Sequence, residues 1–193
     1  MNCASCDTRN CTKGQNCLRL PINEVADQYT EECQQIMEAA AKIEGRYYLQ
    51  LTRIEESVKL AQELSCHSIG VAFCMGLAQE AKYIVQYLEK FFTVHSACCK
   101  ICGISKTEFN LEQIKAGKFE AICNPAVQAK VLNEAKTDLN FIVGLCVGHD
   151  MIFTRCSAAP VSTLVAKDRV LCHNPLGAIY SGYWRNNKLG LKD

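Results

Sequence analysis

The sequence predicts an α/β fold: a mostly parallel, Rossmann-like sheet with helices on both faces, preceded by a cysteine-rich arm and two N-terminal helices. Three observations predict it. From Ser68 onward, short apolar runs alternate with amphipathic stretches of helical period. The turns between them are short, with helix-start residues such as Asn124-Pro125. The apolar runs carry few polar residues, as strands covered on both faces do. The expected organisation is an arm over residues 1–20 and an α/β domain over 21–193 that includes the helical segment.

The elements follow in order. Ile22, Val25, Ala26, Tyr29, Cys33, Ile36, Met37 and Ala40 recur at three- and four-residue steps, which predicts one helix from Glu24 to Glu44, ending near Gly45. Thr52-Arg53-Ile54-Glu55 has the spacing of a capping box and opens a second helix with Ile54, Val58, Ala61 and Leu64 on one face. "SIGVAFC" from Ser68 reads as the first strand, "GLAQEAKYIVQYLEKF" as a helix and "FTVHSAC" as the second strand. "FEAIC", Phe119 to Cys123, reads as a third strand, and "PAVQAKVLNEAK" as a helix with Asn124 as N-cap and Pro125 at its first position. "LNFIVGLC" and "VSTLVA" read as the fourth and fifth strands.

Bulk properties exclude several classes. Lys plus Arg is 21 against 20 Asp plus Glu. There is no basic run with interleaved aromatics, so nucleic acid is not an expected partner. No apolar run approaches the roughly 20 residues that span a bilayer, so no membrane is expected either. The chain opens on polar residues with no export signal, which predicts a cytoplasmic protein. In that reducing compartment structural disulfides are rare, and 14 cysteines in 193 residues point to metal or redox chemistry. There is no G-x-G-x-x-G and no phosphate-binding loop, so the case for nucleotide binding is weak.

The cysteines fall into two sets. Cys3, Cys6, Cys11 and Cys17 crowd the arm, "CASCDTRNCTKGQNC". Structural zinc sites commonly pair two C-x2-C knuckles, and only Cys3 and Cys6 form one. One loop supplying four thiolates at irregular spacing is closer to the wrapping of an iron–sulfur cluster. Zinc and a redox dithiol stay open as alternatives. The second set, Cys74, Cys99, Cys123 and Cys146, recurs about one βα repeat apart, each at the end of an expected strand. In open α/β sheets the carboxyl ends of the strands form the ligand-binding edge. Four distant thiols are therefore expected on one rim, close enough to share a centre, with Cys172 within reach of it. Each of Cys74, Cys123 and Cys146 precedes a helix start, where the dipole favours a thiolate. "GLCVGHD" adds His149 and Asp150. Lys167-Asp168-Arg169 follows the last strand, where a solvated turn is the plainer expectation. Cys33 and Cys66 read as packing residues.

The segments "CASCDTRNC", "GVAFCMGLAQEAK", "ACCKICGISK", "CNPAVQAKVLN", "TDLNFIVGLCVGHDMIF" and "LVAKDRVLCHNP" together resemble a family of prokaryotic proteins of unknown function. Its members are labelled cysteine-rich or metal-binding and are frequent in anaerobes. The resemblance spans almost the whole chain and implies metal binding without a defined reaction. It highlights the same eight cysteines together with His149, Asp150, Lys167, Asp168, His173 and Asn174. Cys98, Cys102, Cys156 and Cys172 fit its pattern less securely.

The function expected from the sequence is an iron–sulfur protein, of the [4Fe-4S] type, with one or two clusters. The rim centre is expected to act on a small ligand, with His149, Asp150, Lys167 and His173 supplying protons and charge. The arm centre is expected to serve as an electron relay or staple, with a redox partner protein. The alternative is a non-catalytic zinc or other metal-binding protein for structure, storage or sensing.

Overall fold

The computed structural model describes residues 2–191. It divides into two compact units, Met1–Arg46 and Tyr47–Asp193.

In the first unit the arm forms two short 3-10 turns, Cys3–Ser5 and Asn10–Lys13. Two helices follow, α1 (Ile22–Ala26) and α2 (Glu31–Tyr47). The single helix expected over Glu24–Glu44 is thus broken. Thr30 breaks it: its hydroxyl accepts from the Cys33 backbone N–H at 3.2 Å, as an N-cap does for a fresh helix. Cys33, expected to pack, is exposed.

The second unit opens on α3 (Arg53–Glu63), and the capping box forms as expected. Thr52 accepts from the Glu55 backbone N–H, and the Glu55 carboxylate accepts from the Thr52 N–H at 2.9 Å. Strands β1 (Ser68–Phe73), β2 (Thr93–Cys98), β3 (Leu139–Val143) and β4 (Val161–Val165) then build one all-parallel sheet in the order β2-β1-β3-β4. Helix α4 (Ala78–Leu88) links β1 to β2, α5 (Pro125–Glu134) precedes β3, and α6 (His149–Cys156) links β3 to β4. A short α7 (Gly177–Tyr180) and a π-turn, Trp184–Lys188, follow β4. No helix of the described residues is long and apolar enough to cross a membrane.

The strand order fixes where a site belongs. The chain steps outward from β1 to β2, then returns past β1 to lay down β3. Right-handed crossovers in opposite directions put α4 on one face and α5 and α6 on the other. The reversal opens a crevice at the carboxyl ends of β1 and β3. The core beneath it is dense: Ile69, Val71, Ala72, Leu132, Phe141, Ile142, Val143 and Phe153 are all buried. The central strands β1 and β3 match the expectation of strands covered on both sides. The edge strands β2 and β4 are only part-buried.

One polar network crosses this core. Asn140 is fully buried; its side chain accepts from the Thr137 hydroxyl and donates to Ser157 Oγ, each at 2.8 Å. Gly70 on β1 makes room for it, since a Cβ there would stand 1.9 Å from Asn140 Oδ1. At the opposite end of the sheet, buried Gln128 donates to the carbonyls of Ala97 at 2.7 Å and Phe73 at 3.3 Å, tying together the ends of β2 and β1.

The strand expected at Phe119–Cys123 does not form. That segment makes only an isolated antiparallel bridge, Ser105 to Ala121, with backbone bonds from Lys106 to Glu120 and from Ile122 to Ile104. Its partner is its own loop, not the sheet, so the apolar run folds as a strap. The sheet has four strands where five were expected.

Candidate metal centre

Register delivers the rim. Phe73, Cys98, Val143 and Val165 lie abreast at the end of the ladder. The ladder runs on by one bond each: Cys99 N–H to Phe73 O (2.8 Å), Cys74 N–H to Val143 O (3.1 Å) and Gly144 N–H to Val165 O (2.8 Å). Cys74 and Cys99 are thus neighbours because their strands end together. Cys123 arrives by a different route. The 100–122 loop closes on itself, and the Asn124 N–H donates to Cys99 O at 2.8 Å. Cys146 sits in the turn between β3 and α6. Gly144 (φ +66°) and Gly148 (φ +87°) supply left-handed conformations that a side chain would oppose. The Cys146 carbonyl then accepts the N–H groups of His149 and Asp150, starting α6.

All four thiols line one cleft of about 560 Å³. Cys74 and Cys99 are buried, Cys123 and Cys146 half-buried. Lys100, His149, Lys167 and Arg169 share the cleft with them, and Met75, Leu111, Ile114 and Ile122 form its apolar side. Among the described residues no three His, Cys, Asp or Glu side chains form a group that could hold a metal ion. The sulfurs share a cleft without closing into a ligand shell.

Three of the four sulfurs nonetheless have an N–H donor. Lys167 Nζ donates to Cys74 Sγ at 3.4 Å, and Gly76 leaves room for that ammonium, since a Cβ would meet it at 3.2 Å. The Met75 backbone N–H donates to Cys99 Sγ at 3.3 Å. Lys100 Nζ donates to the Ala121 carbonyl at 2.6 Å and helps lower the Cys123 pKa. Arg169 Nη2 donates to Cys146 Sγ at 2.8 Å. Cys99 neighbours both Cys74 and Cys123, and its thiol helps lower the pKa of each.

The electrostatics follow. The Cys99 thiol beside it, against the cost of burial and with help from Lys100 and His149, brings the Cys123 thiol down to about 5. The same pairing, together with burial, pushes Cys99 up. Burial opposes ionisation of Cys74, but the Gly76 N–H and the Lys167 ammonium outweigh it and its pKa falls. Cys66, expected to be inert, is half-buried, and burial with nearby Asp138 pushes its thiol up.

Of the residues the sequence offered for proton and charge transfer, His149 and Lys167 line the cleft. Asp150 and His173 do not. Asp150 borders a separate shallow hollow with Arg155 and Thr163, and its carboxylate accepts from the Met151 N–H. His173 turns to the backbone, its Nδ1 accepting from the Asp168 N–H at 3.1 Å. The Lys167–Arg169 turn is not merely solvated, because both of its cations reach sulfur. Lys100 and Arg169 are the functional groups that sequence reasoning underweighted. Their signal was present: each lies directly after, or a few residues past, the end of a strand. Cys98, Cys102, Cys156 and Cys172 do not line the cleft.

The arm is different. Cys3, Cys6, Cys11 and Cys17 are all exposed. The Arg9 backbone N–H, then the Thr8 hydroxyl, lower the Cys6 pKa, and the Cys11 thiol donates to Arg9 O at 3.8 Å.

No solved structure matches the chain. It is similar to a protein of Methanocaldococcus jannaschii described as "Uncharacterized protein MJ0455", with 45% identity over 185 residues, covering 95% of this chain and 96% of that protein. A family model described as "Protein of unknown function (DUF1847)" matches residues 13–164, and the chain belongs to that family.

Proposed function

We propose that the chain is a metal–thiolate protein whose rim thiols, Cys74, Cys99, Cys123 and Cys146, hold an iron–sulfur cluster of the [4Fe-4S] type. The observation that carries this reading is that four cysteines from distant parts of the chain line one cleft among three cationic side chains, Lys100, Lys167 and Arg169. Inert core thiols need no cations, whereas thiolate ligands of an anionic cluster do. The donor set fits such a group in chemistry, and these four cysteines would hold it. A bound cluster would supply one-electron chemistry or a Lewis-acid iron position. Lys167, Lys100 and Arg169 balance the thiolate charge. His149 lines the same cleft, where its imidazole would take or give a proton to a small ligand. The arm cysteines would hold a second, independent centre, with a redox protein as partner.

The test is purification without oxygen, followed by iron, sulfide and zinc analysis and an absorption spectrum. The reading expects a brown protein with a broad band near 400 nm and matched iron and sulfide. A colourless protein with stoichiometric zinc would overturn it in favour of a structural, storage or sensing role.

A further inference from the structure

The rim cleft holds more positive charge than its own carboxylates use. Lys100, Lys106, His149, Lys167 and Arg169 line it, and only Glu112 and Glu120 oppose them. Glu120 is already partnered: its carboxylate pairs with Lys106 at 2.9 Å and accepts from the Ile114 N–H at 2.8 Å. Glu112 is exposed on the strap. Among the described residues, Lys100, Lys167 and Arg169 form no ion pair with a carboxylate. Their hydrogen bonds go to the Ala121 carbonyl, Cys74 Sγ and Cys146 Sγ, which leaves each with spare N–H donors.

Two further features narrow the ligand. The backbone N–H groups of the first turn of α6, a common cradle for phosphate at this end of a sheet, are all taken. His149 and Asp150 donate to the Cys146 carbonyl, Met151 to the Asp150 carboxylate and Ile152 to the Gly148 carbonyl. An anion here is therefore met by side chains, and the guanidinium fork of Arg169 matches the two oxygens of a carboxylate. Beside the cations, Met75, Leu111, Ile114 and Ile122 give the cleft an apolar wall, on which Leu111 and Ile114 remain 50% and 85% exposed. The volume of about 560 Å³ is that of a small-molecule site.

From this pairing of uncompensated cations with an apolar wall, we infer that the cleft binds a small carboxylate with an apolar body. Lys167 and Arg169, which follow β4 two residues apart, hold the carboxylate. Leu111 and Ile114 of the strap cover the body. Such a ligand neutralises charge that the chain leaves open and buries apolar surface that the strap leaves exposed. The inference goes beyond the metal reading and does not depend on it, because it uses the cations and the apolar wall, not the sulfurs.

Titration calorimetry on the full-length protein tests this, with hexanoate as the probe and hexanol and inorganic phosphate as its apolar and anionic halves. Hexanoate is expected to bind. Hexanol and phosphate bind at least about tenfold more weakly, the one for loss of charged hydrogen bonds and the other for loss of apolar burial. Arg169→Met weakens hexanoate by about tenfold or more, and Arg169→Lys, which keeps the charge but not the fork, by less. Leu111→Ser combined with Ile114→Ser also weakens it. Lys130→Met, on α5 outside the cleft, leaves it unchanged. Four results would each overturn the inference: no binding of hexanoate, hexanol bound as well as hexanoate, phosphate bound more tightly, or an Arg169→Met variant that binds like the parent. Metal analysis of the same samples keeps the two readings apart. A metal-free chain that binds hexanoate sinks the cluster and keeps the carboxylate, and an iron-loaded chain that ignores hexanoate does the reverse.

Discussion

The arm carries its four thiols between Cys3 and Cys17, all exposed, whereas the rim thiols are spread from Cys74 to Cys146 and meet in one cleft. The arm needs only its own loop to wrap a ligand. The rim exists because β1, β2 and β3 end abreast and the 100–122 strap returns to Cys99. Local spacing specifies the first, and tertiary register the second. The rim also has what the arm lacks: Lys167 and Arg169 at sulfur, Lys100 in the same cleft, and two buried cysteines. A site built by the fold can carry shaped space and tuned charge; a site built by a loop is portable but bare.

The sharpest way to break this comparison is to damage the sheet alone. Gly70→Ala forces a Cβ into Asn140 and the buried network around it. The expected cost is about 2–3 kcal/mol from overpacking and a strained hydrogen bond, seen in the urea midpoint. Rim metal should fall with it, and arm metal should not. If both fall together, the two sets are not independent.

Removing thiols comes next. The pair Cys99→Ser and Cys123→Ser should abolish one centre's worth of metal. Cys3→Ser with Cys6→Ser should abolish the other, leaving the thermal unfolding of the α/β unit unchanged. Unchanged metal content in the second pair would end the claim that the arm binds anything.

A subtler contrast lies in acidity. In metal-free protein Cys123 is held at about 5 by the Cys99 thiol. Its folded-state pKa is below that of an ordinary thiol, near 8.5, so Cys123 stays ionised as pH falls from about 8.5 to about 5. Alkylation by iodoacetamide, followed residue by residue by mass spectrometry, should lose half its rate at Cys123 near pH 5. An ordinary thiol's rate drops about tenfold per pH unit over the same range. Cys99→Ala should move the Cys123 midpoint upward. A midpoint near 8 in the parent chain would show that Cys99 and Cys123 are not coupled.

The smallest expected effect is at Lys167. Lys167→Met should keep the rim metal and lower its reduction potential, because one N–H donor to sulfur is lost. Lys13→Met, in the arm, should leave the rim potential where it was.

Much of this was legible in the sequence, and the exceptions have physical causes. The capping box at Thr52, the four parallel strands and the start of α5 at Pro125 all follow from local residue chemistry, although β3 stops at Val143 and leaves Cys146, expected at its end, in the following turn. The Phe119–Cys123 run misled because a short apolar segment does not say which partner it pairs with, and here it pairs within its own loop. Thr30 divided a helix whose apolar period runs on through the break. Asp150 is adjacent to His149 yet faces elsewhere, because consecutive helical residues point about 100° apart. Lys167 was expected at the rim, but its contact with the Cys74 sulfur could not be read, since the two meet only through the β1-β3-β4 order.

The most direct test of the rim centre is a full-length chain with Cys3, Cys6, Cys11 and Cys17 all changed to serine, purified without oxygen. The account predicts that it remains brown, with iron and sulfide for one cluster and the band near 400 nm intact. A colourless, iron-free chain that still folds would contradict it.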